Sequence, residues 1–132
     1  MTEFIVIIAG GRDFSDYLKL KESCDKALLN KRTTHDIVVR SGGAKGADLL
    51  GERYAKENGF TVQQFIPEWK NADGTPNRAA GHIRNREMAD GNSEFTDKAD
   101  ALIAFWDGKS RGTKGMIDYA KKKGAIVRAI TY

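Results

Sequence analysis

Five short runs along the chain predict the strands of a sheet. Phe4 to Ala9 and Ala101 to Phe105 are apolar without alternation, which is typical of strands buried on both faces of a parallel sheet. Asp36 to Arg40, Thr61 to Phe65 and Ala125 to Ile130 predict three further strands. The two continuous apolar runs are therefore expected at the centre of the sheet.

Segments with a helical period lie between these runs. They are Tyr17 to Lys31, Ala47 to Asn58, Ala80 to Ala89 and Thr113 to Lys123. Cys24 falls on the apolar face of the first segment, which favours a small core residue over a nucleophile. Alternating strands and helices predict a three-layer α/β/α sandwich around a mostly parallel sheet of about five strands, in the order 3-2-1-4-5.

Length and charge place few limits on function. The 132 residues fit one domain, residues 1–132, with a net charge of +4. This charge suits an anionic ligand and permits nucleic acid, but an ordinary basic surface explains it equally well. No apolar run approaches the roughly 20 residues of a membrane span, and Phe4 to Ala9 is shorter than a signal-peptide core. The predicted location is cytoplasmic.

Glycine and charged residues cluster in the loops after strands one, two and four. In the predicted strand order these loops meet at the carboxyl edge of the sheet, where such folds bind ligands. A glycine-rich loop that opens a helix is suited to phosphate. The predicted ligand-binding residues are Gly10, Gly11, Arg12, Asp13, Ser41, Gly42, Gly43, Ala44, Lys45, Gly46, Trp106, Gly108, Ser110, Gly112 and Thr113, together with Arg84 and Asn85 from a separate helix.

Several of these residues, and Asp48 beside them, also have a structural interpretation. Arg12 either forks onto a phosphate or pairs with a neighbouring aspartate. The glycines after strand two either hold a ligand or only form a tight turn. Asp48 either contacts a ligand hydroxyl or stabilises its helix dipole. Trp106 either stacks on a base or belongs to the core, and Thr113 is either a phosphate contact or a plain N-cap.

Several other site types lack their sequence patterns. No His, Cys, Asp and Glu residues have metal-ligand spacing, and no phosphate loop of the nucleoside-triphosphatase type or G-x-G-x-x-G fingerprint is present. The expectation is a site without metal or cofactor. The irregular segment from Ile66 to Ala80 contains both prolines and is either a lid over the site or an insertion.

Four motifs in order carry a family resemblance. They are Gly10 to Phe14, Ser41 to Asp48, Ile83 to Met88 and Phe105 to Thr113. Together they resemble the SLOG superfamily, in its YspA/YpsA-related branch. The resemblance implies a Rossmann-like fold that binds or senses a nucleotide or a nucleotide-derived phosphorylated ligand. Related folds commonly form dimers, so a homodimer is a further expectation.

The resemblance also raises two other functions. LOG phosphoribohydrolases, in the same superfamily, carry a catalytic glutamate where this chain has Met116, and methionine cannot transfer a proton. An N-glycosidic hydrolase acting on a nucleoside monophosphate or an ADP-ribose-type compound would need another carboxylate: Asp107, then Asp48, then Glu52. The similarity to DprA suggests single-stranded DNA binding as the remaining alternative.

Overall fold

The computed structural model describes all 132 residues and contains five strands and four α-helices. The strands are β1 (Glu3–Gly10), β2 (Asp36–Ser41), β3 (Thr61–Gln64), β4 (Ala101–Trp106) and β5 (Ile126–Thr131). The helices are α1 (Tyr17–Leu28), α2 (Ala47–Glu57), α3 (Ala80–Asp90) and α4 (Arg111–Lys122), with a 3₁₀ turn at Lys31–Thr33. No helix combines the length and apolar character needed to cross a membrane.

The sheet is entirely parallel and has the order β3-β2-β1-β4-β5. This confirms the predicted Rossmann-like α/β fold and its strand order. Strand β1 lies at the centre, with Val6 opposite Val39 of β2 and Gly10 opposite Phe105 of β4. The chain order reverses at β1, so the loops after β1 and β4 open a crevice at the carboxyl edge.

Two hydrophobic cores cover the two faces of the sheet. Val6 and Ile8 of β1 pack with residues of α1 and α2, whereas Ile5 and Ile7 pack with residues of α3 and α4. Because successive side chains of a strand point to opposite faces, both faces of β1 must be apolar. This accounts for the unbroken apolar run at the start of the sequence. Cys24 is fully buried in the first core, as predicted.

Helix ends differ from the sequence prediction by a few residues. Helix α1 ends at Leu28 rather than at Lys31, because the chain turns into a 3₁₀ segment where the Thr33 hydroxyl donates to the Asn30 carbonyl. Helix α4 begins at Arg111, and Ser110 is its N-cap, accepting from the Thr113 amide at 3.4 Å. The interpretation of Thr113 as the N-cap was therefore wrong.

Candidate ligand-binding site

Glycine allows the three predicted loops to touch one another at the carboxyl edge. A Cβ on Gly10 would lie 2.2 Å from the Phe105 carbonyl oxygen of β4. Gly46 adopts a φ of +88°, and a Cβ there would lie 2.3 Å from the Gly11 carbonyl oxygen. No other residue fits either position, so these two glycines bring the loops after β1, β2 and β4 into backbone contact.

The joined loops enclose a cavity of about 510 Å³, a volume typical of small-molecule sites. Twelve of the sequence-predicted residues line it: Gly10, Gly11, Arg12, Asp13, Ala44, Asp48, Arg84, Asn85, Asp107, Ser110, Gly112 and Thr113. The wall also contains Trp69, Arg78 and His82, which sequence reasoning did not assign to the site. Arg78 and Trp69 belong to the irregular segment predicted as a lid or an insertion, so that segment does border the cavity.

The glycine loop after β2 supports the cavity more than it lines it. Ser41, Gly42, Gly43 and Gly46 do not line the cavity, and Lys45 borders a smaller one beside it. The buried Ser41 hydroxyl donates to Glu52 at 2.7 Å and accepts from the Gly43 amide at 3.1 Å. Glu52 also accepts from the side-chain amide of Gln64 at 2.8 Å. Its carboxylate therefore lies beneath the loop, outside the cavity.

Gly42 has a specific role in placing Arg84. The Arg84 guanidinium donates to the Gly42 carbonyl at 2.6 Å and to the Asn85 side chain at 2.9 Å. A Cβ on Gly42 would lie 2.3 Å from the Arg84 guanidinium nitrogen. A side chain at residue 42 would therefore displace the Arg84 guanidinium from this position.

Asp48 is the one carboxylate of the cavity that is deeply buried. It is 4% exposed, lies in the first turn of α2, and accepts from the Ala44 backbone amide at 3.3 Å. Burial raises its pKa to about 6, while the nearby Arg84 charge and backbone donors lower it in part. A carboxyl group with such a pKa exchanges a proton close to neutral pH.

Asp107 organises the loop that leads into α4. Its carboxylate accepts from the amides of Lys109 and Ser110, both at 2.8 Å, and these bonds hold its pKa below the ordinary value. With Ser110 capping the helix, the amides of Arg111 and Gly112 have no acceptor in the protein. The start of α4 therefore presents free N–H groups beside the cavity, as anion sites do.

Two aromatic residues outside the cavity wall form hydrogen bonds to the loops after β4 and β1. The Trp106 indole donates to the Ser110 carbonyl at 3.0 Å and packs on the second core, and the residue lies outside the cavity wall. Tyr132 donates to Asp13 and packs on Phe14 with ring centroids 4.9 Å apart. No local pattern links Asp13 to a residue so distant in the chain, so this contact could not be predicted from the sequence.

The carboxylates of the cavity have hydrogen-bond partners in the protein, whereas two of its arginines do not. Asp13, Asp48 and Asp107 all accept hydrogen bonds from protein groups. Arg12 and Arg78, in contrast, form no ion pair and donate no side-chain hydrogen bond. Unpaired cations beside satisfied carboxylates favour an anionic ligand. No group of three His, Cys, Asp or Glu side chains is arranged to hold a metal ion.

Met116 lies in the cavity wall and is 2% exposed. The position that carries a catalytic glutamate in the LOG motif is thus an apolar part of this site. Of the three candidate carboxylates, Asp48 and Asp107 line the cavity and Glu52 does not.

Comparison with known proteins agrees with this architecture. The gene 61 protein of Mycobacterium phage D29 is 33% identical over 126 residues, which cover 92% of each chain. The X-ray structure of TM1055, a structural-genomics target, superposes with a TM-score of 0.60 at 20% identity, over 96% of this chain and 72% of that one; this likeness concerns the fold. The profile described as YspA, cpYpsA-related SLOG family matches residues 4–71. The chain therefore belongs to the YspA, cpYpsA-related SLOG family.

Proposed function

We propose that this protein binds a nucleotide or a nucleotide-derived phosphorylated ligand in the 510 Å³ cavity. Family membership supports a nucleotide-related role in general. The observation that carries the proposal is the pairing pattern of the cavity: its carboxylates are satisfied by protein groups, whereas Arg12, Arg78 and the first amides of α4 are not. A phosphate would supply the acceptors that these donors lack.

In this arrangement the phosphate lies at the start of α4. The free amides of Arg111 and Gly112 donate to it, and Arg12 adds a charge from the loop after β1. Asn85 and Asp48, which also line the cavity, offer an amide and a carboxylate to sugar hydroxyls.

Alanine substitution of the two free arginines tests this function. Arg12→Ala and Arg78→Ala should each lower the affinity for AMP or GMP about tenfold, because a charge-assisted hydrogen bond contributes about 1.5–3 kcal/mol. Neither side chain bonds to the protein, so stability should change by less than about 0.5 kcal/mol. Isothermal titration calorimetry measures the affinity.

Arg128→Ala is the matched control, because Arg128 is exposed on β5 and lies outside the cavity. It should leave affinity unchanged. Equal affinity in the wild type and both cavity variants would reject the proposed phosphate site.

Asp48 favours a second candidate function, N-glycosidic hydrolysis of a nucleoside monophosphate. Such a reaction needs a carboxyl group near the ribose, and Asp48 is buried in the cavity with a pKa of about 6. Release of free base from AMP, followed by chromatography, would reveal turnover. Turnover that persists in Asp48→Asn would exclude Asp48 as the catalytic group.

A further inference from the structure

A smaller cavity of about 380 Å³ adjoins the main one. It is lined by Arg12, Ala44, Lys45 and Trp69, and all but Lys45 also line the main cavity. Its walls contain two cations and no carboxylate. Neither Arg12 nor Lys45 forms an ion pair or donates a side-chain hydrogen bond to the protein, so both charges remain available to a ligand.

Trp69 stands at the boundary of the two cavities. It is 50% exposed, and its indole N–H has no acceptor in the protein. Exposed aromatic rings of this size are costly in water and frequently mark binding surfaces. The ring lies over α3, since a Cβ on Gly81 would be 3.9 Å from its edge.

The segment that carries Trp69 is internally braced. The Asn77 amide donates to the Trp69 carbonyl at 2.7 Å, and the Asn71 amide donates to the Thr75 carbonyl at 2.8 Å. An isolated antiparallel bridge joins Lys70 to Pro76. The indole is thus presented on a small closed hairpin, a preorganised surface for a flat ring.

We propose that the ligand is a nucleotide with a second phosphate group, which lies between Arg12 and Lys45 while the base stacks on Trp69. The inference rests on the proposed function, because it places the first phosphate at the start of α4. A nucleoside monophosphate fills the main cavity and leaves the smaller one empty. Only the second phosphate reaches Lys45. Substitution of Lys45 therefore tests for the contribution of that phosphate to binding.

Calorimetry on the full chain, with AMP and GMP compared with ADP, GDP and adenosine 3′,5′-bisphosphate, tests this inference. In the wild type at least one ligand with two phosphates should bind about tenfold more tightly than its monophosphate. Lys45→Ala should abolish that gain. Lys56→Ala, which removes an exposed cation from the far end of α2, the helix that follows the Lys45 loop, should preserve it.

Trp69 adds an independent readout. Trp69→Phe should retain most of the affinity for all five nucleotides, whereas Trp69→Ala should weaken each about tenfold, because stacking on an aromatic ring contributes about 1–3 kcal/mol per base.

The outcomes separate this inference from the proposed function. If the monophosphates bind and a second phosphate adds nothing, or if the gain survives Lys45→Ala, only this inference fails. If none of the five nucleotides binds, both fail. The inference is supported if the tighter binding of a ligand with two phosphates depends on Lys45 and if nucleotide binding depends on an aromatic residue at position 69.

Discussion

Arg40 shows how one residue can connect the sheet to the site. Its side chain is fully buried on β2, and it donates to the Met88 carbonyl of α3 at 2.7 Å and to Gln63 at 2.9 Å. It also donates to the carbonyls of Phe95 and Asp97 after α3. Arg40 thereby holds the end of α3, the helix that brings Arg84 to the cavity. A buried arginine is tolerated here because its hydrogen bonds are met by carbonyl groups.

Replacing Arg40 should therefore destabilise the protein strongly. Arg40→Met should lower the free energy of unfolding by about 3–5 kcal/mol, because several buried carbonyl groups lose their donor. Chemical denaturation gives the value. Arg128→Met, at an exposed position on β5, should change it by less than about 0.5 kcal/mol; a small effect at position 40 as well would refute the connecting role.

The buried carboxyl group of Asp48 should make stability depend on pH. Its pKa is about 6 in the folded state against an ordinary value of 3.8, so the folded protein binds the proton more tightly than the unfolded chain. This group therefore contributes stability at acidic pH, and the contribution is lost as the pH rises through about 6.

Asp48→Asn removes this titration. The free energy of unfolding of the variant, relative to that of the wild type, should rise by about 1–3 kcal/mol from pH 4 to pH 7.5. The reason is that only the wild type must bury a charge at the higher pH. Urea unfolding at the two pH values measures the change. A difference between the two proteins that is constant with pH would contradict it.

Helix α4 is the element on which the phosphate proposal depends. Gly112 and Gly115 both lie in this helix, and a Cβ at either position would meet nothing within 4 Å. Only Gly112 lines the cavity. The two glycines therefore form a matched pair: a methyl group fits at both positions, and only position 112 borders the cavity.

Gly112→Ala should weaken AMP binding about tenfold or more, because the new methyl group stands beside the free amides at the start of α4. Gly115→Ala should bind AMP normally and raise Tm by a few degrees, since alanine favours a helix by about 0.8–1 kcal/mol over glycine. Calorimetry and thermal unfolding measure the two effects. Equal binding by both variants would move the phosphate away from this helix.

At the scale of the whole molecule, much of the fold was predictable from the sequence and less of the site. The apolar runs of β1 and β4 and the glycine loops specify a parallel sheet and the edge where its loops meet, because burial and backbone conformation are local properties. Contacts between polar groups, such as those of Asp13 with Tyr132 and of Ser41 with Glu52, leave no periodic pattern in the sequence. They could therefore not be predicted from it. Trp69 was missed as a cavity residue for a similar reason: an irregular segment has no pattern that shows which way its aromatic residue points.

The central place of β1 has a consequence for the order in which the chain is made. As the protein leaves the ribosome, β1 can pair with β2 as soon as residues 36–41 are free, but its other edge must wait for β4. The Ile5 amide donates to the Asp100 carboxylate, so this bond cannot form until a further 95 residues have been synthesised. For most of synthesis the nascent chain therefore carries an apolar strand with one open edge, the kind of surface that chaperones shield and that aggregates if left uncovered.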